Sequence, residues 1–114
     1  MSKNVIAKQT RIGKTLRIHE NLIECDEDLI IECDVKIAKI DVKTNTLLIN
    51  HGCTVQADLV GDTVVIIGSF SGNVDAITQI DIQAGASVSA NMSARQFKIH
   101  PDAIFQGQMK YKGQ

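Results

Sequence analysis

Short apolar patches recur along the chain at a nearly constant spacing. They cover residues 29–31, 47–49, 64–67, 80–82 and 97–99, so that each begins roughly 17 residues after the previous one. No stretch of ten residues has the 3.6-residue period of an amphipathic helix. Within each patch the apolar residues stand at i and i+2, which places them on one face of a strand. The pattern therefore predicts a series of short strands and no helix.

Each repeat contains two further pairs of this kind. The first pairs are Leu29/Ile31, Leu47/Ile49, Val64/Ile66, Ile80/Ile82 and Phe97/Ile99. The second pairs are Val35/Ile37, Cys53/Val55, Phe70/Gly72, Ala86/Val88 and Ala103/Phe105. The third pairs are Ile40/Val42, Leu59/Gly61, Val74/Ala76, Met92/Ala94 and Met109/Tyr111. Each repeat is thus predicted to form three short strands, separated by polar or glycine turns.

A repeat of three strands that cannot bury its own apolar face has to stack on its neighbours. Cutting the chain at this repeat length from Ile12 gives six segments, of which the first fits least regularly, through Ile12, Leu16/Ile18 and Leu22. We predict an all-β fold, a right-handed parallel β-helix (solenoid) of about six coils with three short strands per coil. The right-handed coil is predicted because crossover connections between parallel strands are almost always right-handed. The uneven period also disfavours a left-handed hexapeptide helix.

The composition agrees with a narrow stacked coil. The chain has 114 residues, of which 44% are hydrophobic and only 4% aromatic, and Pro101 is its one proline. Aliphatic side chains fill a narrow interior, and proline would remove a hydrogen bond between coils.

Three stretches of the sequence resemble the bactofilins, bacterial polymer-forming cytoskeletal proteins with a β-helical core. They are TRIGKTLRIHENLIECDEDLIIECD at 10–34, GDTVVIIGSFSGNV at 61–74 and AIFQGQM at 103–109. The resemblance covers about residues 10–110. It implies a structural protein that assembles with itself, has no enzymatic activity or cofactor, and often associates with membrane through its N-terminal tail.

The ends of such a solenoid are predicted to be contact surfaces. An end coil leaves backbone groups unpaired and apolar side chains uncovered, and the sequence offers no capping helix. Aromatic residues gather in the last coil, whereas Phe70, in the middle of the repeats, is expected to be plain core. We predict nucleotide-independent filaments that form through the terminal coils, with this interface: Ile12, Leu16, Ile18, Phe97, Phe105, Met109 and Tyr111. Residues 11–112 form the predicted polymerisation core.

Residues 1–10 are predicted to be a flexible tail. Residues 1–17 hold five basic residues and no acid, which favours attraction to an anionic membrane surface. The net charge of the whole chain is only −1, which argues against a nucleic-acid binder. The candidate membrane residues are Lys3, Val5, Ile6 and Lys8. The alternative is a tail that is simply solvated.

Catalytic and metal-binding patterns are weak in this sequence. His19, His51 and His100 fall in three different coils without metal-ligand spacing, and no glycine-rich phosphate loop occurs, so we expect no metal or other cofactor. Two other β-helical classes stay open. They are a hexapeptide-like acyltransferase or metal-binding coil, and a division-septum regulator of the Min inhibitor C-terminal type.

Several features favour a cytoplasmic location. Recruited proteins are a further class of partner, whose identity the sequence does not indicate. The three cysteines include no C-x-x-C pair, no apolar run is long enough to span a bilayer, and the N-terminus does not resemble a secretory signal. We expect the polymer at the inner face of the cytoplasmic membrane if the tail binds lipid.

Overall fold

A computed structural model describes residues 17–18, 21–24, 28–31 and 34–112, with the backbone alone for 17–18. Every regular element among these residues is a strand. In chain order the strands are β1 (Arg17–Ile18), β2 (Leu22–Glu24), β3 (Leu29–Ile31), β4 (Val35–Asp41), β5 (Thr46–Ile49), β6 (Thr54–Ile66), β7 (Ser69–Ile82), β8 (Ser87–Ala94), β9 (Gln96–Ile99) and β10 (Ile104–Tyr111).

The strands stack in parallel on three faces. Face A consists of residues 29–31, 47–49, 64–66, 80–82 and 97–99. Face B consists of residues 35–36, 55–57, 70–72, 88–90 and 105–107. Face C consists of residues 22–24, 39–41, 58–60, 73–75, 91–93 and 108–110. The predicted parallel β-helix is confirmed, and the described residues supply five stacked strands on faces A and B and six on face C.

The interior consists of columns of aliphatic side chains that run from coil to coil. On face A, Ile31, Ile49, Ile66 and Ile82 follow one another in register, and each is at most 1% exposed. On face B, Phe70 is buried in the same way at 2% exposure, as predicted for a residue of the middle coils. Stacking like on like therefore produces one continuous core.

The register of face B differs from the prediction in two coils. Val35 and Phe70 each pair with Val55, so they belong to the second position of the inward pair and not to the first. Ile37 lies in a bulge, where the register shifts between Lys36 and Lys39. The shift misled the prediction because Val35 and Ile37 by themselves have the spacing of an inward pair.

Fewer turns separate the strands than the sequence predicts. Strands β6 and β7 run through 13 and 14 residues and bend between faces without interruption. At the corner between faces B and C the bend is made by Gly72, whose φ is +139°. A Cβ atom on Gly72 would lie 2.1 Å from the carbonyl oxygen of Ala57 in the coil below. The close approach of two coils therefore requires glycine here.

The N-terminal end departs from the parallel arrangement. Strand β1 pairs antiparallel with β2, with Ile18 opposite Ile23. Because the chain reverses direction there, the first predicted segment does not continue the parallel stack through Arg17 and Ile18. Ile12 and Leu16, predicted for this segment, lie outside the described residues.

Candidate assembly surface at the C-terminal end

The last coil has one strand edge without a described partner. Strand β9 pairs with β7, and β10 pairs with β8 over eight residues, from Ile104 to Tyr111. No other described strand pairs with either of them. We call the inward-facing side chains of this coil the end surface. They are Phe97, Ile99, Phe105, Met109 and Tyr111.

Equivalent positions one coil apart show that the end surface is uncovered. Met109 stacks directly on Met92, and their side chains are 41% and 2% exposed. Ile82 and Ile99 stack in the same way and are 0% and 38% exposed. The amino acid and the column are the same within each pair. The exposure therefore follows from the lack of a described strand above these residues and not from the residue type.

Aromatic rings occupy one corner of the end surface. The rings of Phe97 and Tyr111 meet edge to face, with centroids 5.0 Å apart and an interplanar angle of 87°. Phe97 is half-buried against the core, whereas Tyr111 remains 65% exposed. Phe105 is also half-buried and stacks on Val88. A rigid aromatic pair beside exposed aliphatic side chains is typical of the centre of a protein interface.

Four of the seven predicted interface residues come together on the end surface, namely Phe97, Phe105, Met109 and Tyr111. Ile18 lies at the opposite end of the solenoid, in β1. The inward side chains nearest that end, Ile23, Leu29 and Ile31, are only 1–2% exposed. The two ends thus differ, and the uncovered apolar surface of the described residues lies at the C-terminal end. Ile12, Leu16 and the tail residues Lys3, Val5, Ile6 and Lys8 lie outside the described residues.

Two exposed isoleucines of the last coil were missed by the sequence prediction. Ile99 has the sequence pattern of a core residue, and only its place in the final coil shows that it is uncovered. Ile104 points outward on face B and is 61% exposed. It pairs with Ser87, so an aliphatic side chain stands where the coil below has a hydroxyl. The change from serine to isoleucine at equivalent positions is the sequence signal that could have identified Ile104 as an exposed apolar residue.

Charged side chains surround the end surface unequally. Arg95, Lys98 and Lys110 are exposed around the last coil. Lys112 forms an ion pair with Asp75, so it ties the chain after β10 to an earlier coil. Exposed ion pairs contribute little to stability. The Lys112–Asp75 pair is therefore expected to add little to the stability of the last coil.

The acidic residues near the N-terminal end hold backbone groups of the next coil. A side-chain oxygen of Asp28 accepts a hydrogen bond from the backbone N–H of Thr46, at 2.8 Å. Asp34 does the same for Thr54, at 2.9 Å. Both carboxylates are exposed. Asp28 and Asp34 thus each bind a backbone group at the start of a strand in the next coil, β5 and β6.

The described side chains form no candidate metal site. No cluster of three His, Cys, Asp or Glu side chains could hold a metal ion in the ranges that the structure covers. His51 and His100 are exposed, and the Nδ1 atom of His100 accepts a hydrogen bond from the N–H of Asp102, at 3.1 Å. Cys53 is buried, with its Sγ 3.6 Å from the carbonyl oxygen of Ile31. His19, Cys25 and Cys33 lie outside the described residues.

In the described part of the chain, no helix has the length and apolar character to cross a bilayer.

Fold and surface together define a parallel β-solenoid with an uncovered apolar end, the class of protein that can extend by stacking. The family profile described as "Bactofilin: Polymer-forming cytoskeletal" matches residues 10–110. The chain belongs to the bactofilin family. It is 30% identical over 105 residues to the bactofilin BacO of Myxococcus xanthus strain DK1622, covering 92% of this chain and 81% of that protein. No solved structure matches the chain.

The membership decides among the three β-helical classes that the sequence left open. The chain is a member of a polymer-forming cytoskeletal family, as the resemblance at residues 10–34, 61–74 and 103–109 predicted.

Proposed function

We propose that this protein is a structural, non-enzymatic subunit that assembles with itself into filaments through its terminal coils, without nucleotide. The observation that carries the proposal is the exposure of Met109 and Ile99 in columns that are otherwise buried. A second copy placed on this end would cover those side chains and could pair with the open edge of β10. Membership in a polymer-forming family supports the same role.

Burial of the end surface would contribute favourable free energy to a contact between copies. Fully burying a side chain such as Met or Ile stabilises by about 1.5–3 kcal/mol. The end surface offers three exposed apolar side chains, Ile99, Met109 and Tyr111, beside the half-buried rings of Phe97 and Phe105. Binding also costs translational and rotational freedom, so the aromatic pair and the strand edge have to contribute as well.

The other contact of each subunit is proposed at the N-terminal end, around Ile12, Leu16 and Ile18. Of these, Ile18 belongs to the strand that flanks β2. A filament needs both ends of every subunit to be used. The N-terminal contact is therefore expected to involve the outer side of the β1 segment.

Substituting Phe105 with Arg tests the C-terminal contact. A guanidinium group placed in the half-buried position over Val88 would be costly to bury against a second copy. We expect Phe105→Arg to disperse the filaments seen by electron microscopy of the wild-type protein in nucleotide-free buffer. The circular dichroism spectrum should keep its β shape, because the lower coils are untouched. Wild-type protein that stays as compact monomers over a range of salt concentrations would refute the proposal.

We further propose that the tail attracts the polymer to the inner face of the cytoplasmic membrane. The support is the run of five basic residues without an acid in residues 1–17, beside the apolar pair Val5 and Ile6. Each basic residue near an anionic surface contributes about 1 kcal/mol, so one tail binds weakly, and a filament that presents many tails binds firmly.

Deletion of residues 1–9, which removes Lys3, Lys8 and the apolar pair, should lower the fraction of protein that floats with phosphatidylserine vesicles in a density gradient, where polymer alone stays at the bottom. Two substituted proteins distinguish the contribution of the basic side chains from that of the apolar pair. Lys3→Gln with Lys8→Gln removes charge, and Val5→Ser with Ile6→Ser removes the apolar pair. Flotation of the deleted protein at the wild-type level would show that the tail is merely solvated.

A further inference from the structure

Strand β10 repeats the pattern of β7, but of the two only β7 is covered by a described strand on both sides. Phe70 and Gly72 in β7 correspond to Phe105 and Gly107 in β10. Both glycines have a positive φ, +139° and +131°, and at both a Cβ would collide with the carbonyl oxygen of an alanine in the coil below. Strand β10 therefore matches β7 at these two inward positions, and has Met109 and Tyr111 where β7 has Val74 and Ala76.

The strand that covers β7 shows what this surface accepts. Strand β8 lies on β7 in parallel, with Val88 over Phe70, Ala90 over Gly72 and Met92 over Val74. These three residues of β8 are at most 6% exposed. A Phe-x-Gly strand is thus covered by the pattern Val-x-Ala-x-Met, with a small residue opposite the glycine.

Within this chain, the complementary pattern Val-x-Ala-x-Leu/Met occurs only in inner strands of the solenoid. Val-x-Ala followed two residues later by Leu or Met occurs twice in the sequence, at 55–59 and at 88–92. Both copies lie in strands that already have neighbours on both sides, β6 and β8. At the N-terminal end, β2 has an antiparallel neighbour in β1 and does not contain the pattern. In a second copy of this chain the two strands with this pattern are therefore already paired on both sides, and a contact between copies at β10 would use other residues.

We propose that the end surface is also a binding site for a partner protein that supplies an extended segment of the pattern Val-x-Ala-x-Leu/Met. The segment adds to β10 as a parallel strand and blocks further growth of the polymer at that end. The inference concerns the same surface as the proposed assembly contact, and it adds the kind of partner that regulates it.

Backbone hydrogen bonds and apolar contacts would share the recognition. The open edge of β10 supplies N–H and carbonyl groups along eight residues, and the exposed side chains beside it supply the pockets. Strand addition of this kind obtains affinity from the main chain and specificity from alternate side chains. The small residue opposite Gly107 distinguishes this segment from other apolar strands.

The segment that forms β8, which lies on β7, provides a peptide probe for binding to β10. A fluorescein-labelled peptide with the sequence of residues 87–94, SVSANMSA, is titrated with the full chain and followed by fluorescence anisotropy. One control peptide has the same composition in scrambled order. A second carries Asn91→Pro, which leaves the inward residues unchanged. In the solenoid the N–H of Ser87 donates to the carbonyl oxygen of Gly68 in the coil below, at 3.1 Å, and Asn91 has the same orientation in the strand. The proline thus removes one hydrogen bond to the surface beneath.

We expect the SVSANMSA peptide to bind at least about tenfold more tightly than either control, a difference of about 1.4 kcal/mol. Binding should weaken in Met109→Lys protein and persist in Ile77→Lys protein, whose substituted residue is equally exposed but lies away from the end surface. The same peptide should lower the fraction of protein that pellets as polymer.

Equal binding of all three peptides, or binding of none, would overturn the inference even if the protein forms filaments. Selective binding to a protein that forms no filaments would support the inference and refute the proposed self-assembly.

Discussion

At the scale of single residues, two glycine positions show what the stacking of coils demands. Gly72 combines a φ of +139° with a Cβ position only 2.1 Å from the Ala57 carbonyl oxygen. Gly52 also has a positive φ, +84°, but no atom lies within 4 Å of its Cβ position. The first position thus requires glycine for both conformation and space, whereas the second requires it for conformation alone.

Gly72→Ala should therefore destabilise the protein by about 1–3 kcal/mol more than Gly52→Ala. The coils would have to separate locally at residue 72, whereas the turn at residue 52 has only to tolerate a strained backbone. Urea denaturation followed by circular dichroism measures both variants against the wild type. Equal losses for the two would show that the close approach of the coils does not limit stability.

At the scale of strands, the apolar pairs of the sequence predicted which side chains face inward. Face A follows the prediction in all five coils, because its patches are short and separated by polar residues. Face B does not, because Ile37 lies in a bulge and Phe70 precedes a glycine that bends the strand. Coil lengths differ for these local reasons, since the step from Ile40 to its partner Leu59 is longer than the step from Leu59 to Val74. A fixed period cannot place such insertions.

Two neighbouring isoleucines test the inward column. Ile66 is completely buried between Ile49 and Ile82, and Ile67 follows it on the outside, half-buried. Ile66→Ala should cost about 2–5 kcal/mol of the free energy of unfolding, through lost contacts and a cavity. Ile67→Ala should cost about 1 kcal/mol. Denaturant titration compares the two, and a larger loss for Ile67→Ala would contradict the assignment of faces.

At the scale of the whole molecule, the two ends of the solenoid are unlike. The C-terminal coil leaves Met109 and Ile99 exposed, and β1 flanks the N-terminal end with a reversed direction. The sequence predicted the aromatic end because Phe97, Phe105 and Tyr111 gather there. It could not predict the antiparallel pairing, which depends on how the chain enters the first coil and not on a periodic pattern. Nor did it identify Ile99, which is exposed because no described strand covers β9 on that side.

Polymer formation by two exposure-matched variants tests the central claim most directly. Met109 and Ile77 are 41% and 40% exposed, but Met109 lies on the end surface and Ile77 lies away from it. Each is replaced by lysine, and polymer is measured by high-speed sedimentation and electron microscopy in nucleotide-free buffer. We predict that Met109→Lys protein stays in the supernatant while Ile77→Lys protein forms filaments like the wild type. Filaments of Met109→Lys protein that match the wild type in amount and form would contradict assembly through the C-terminal coil.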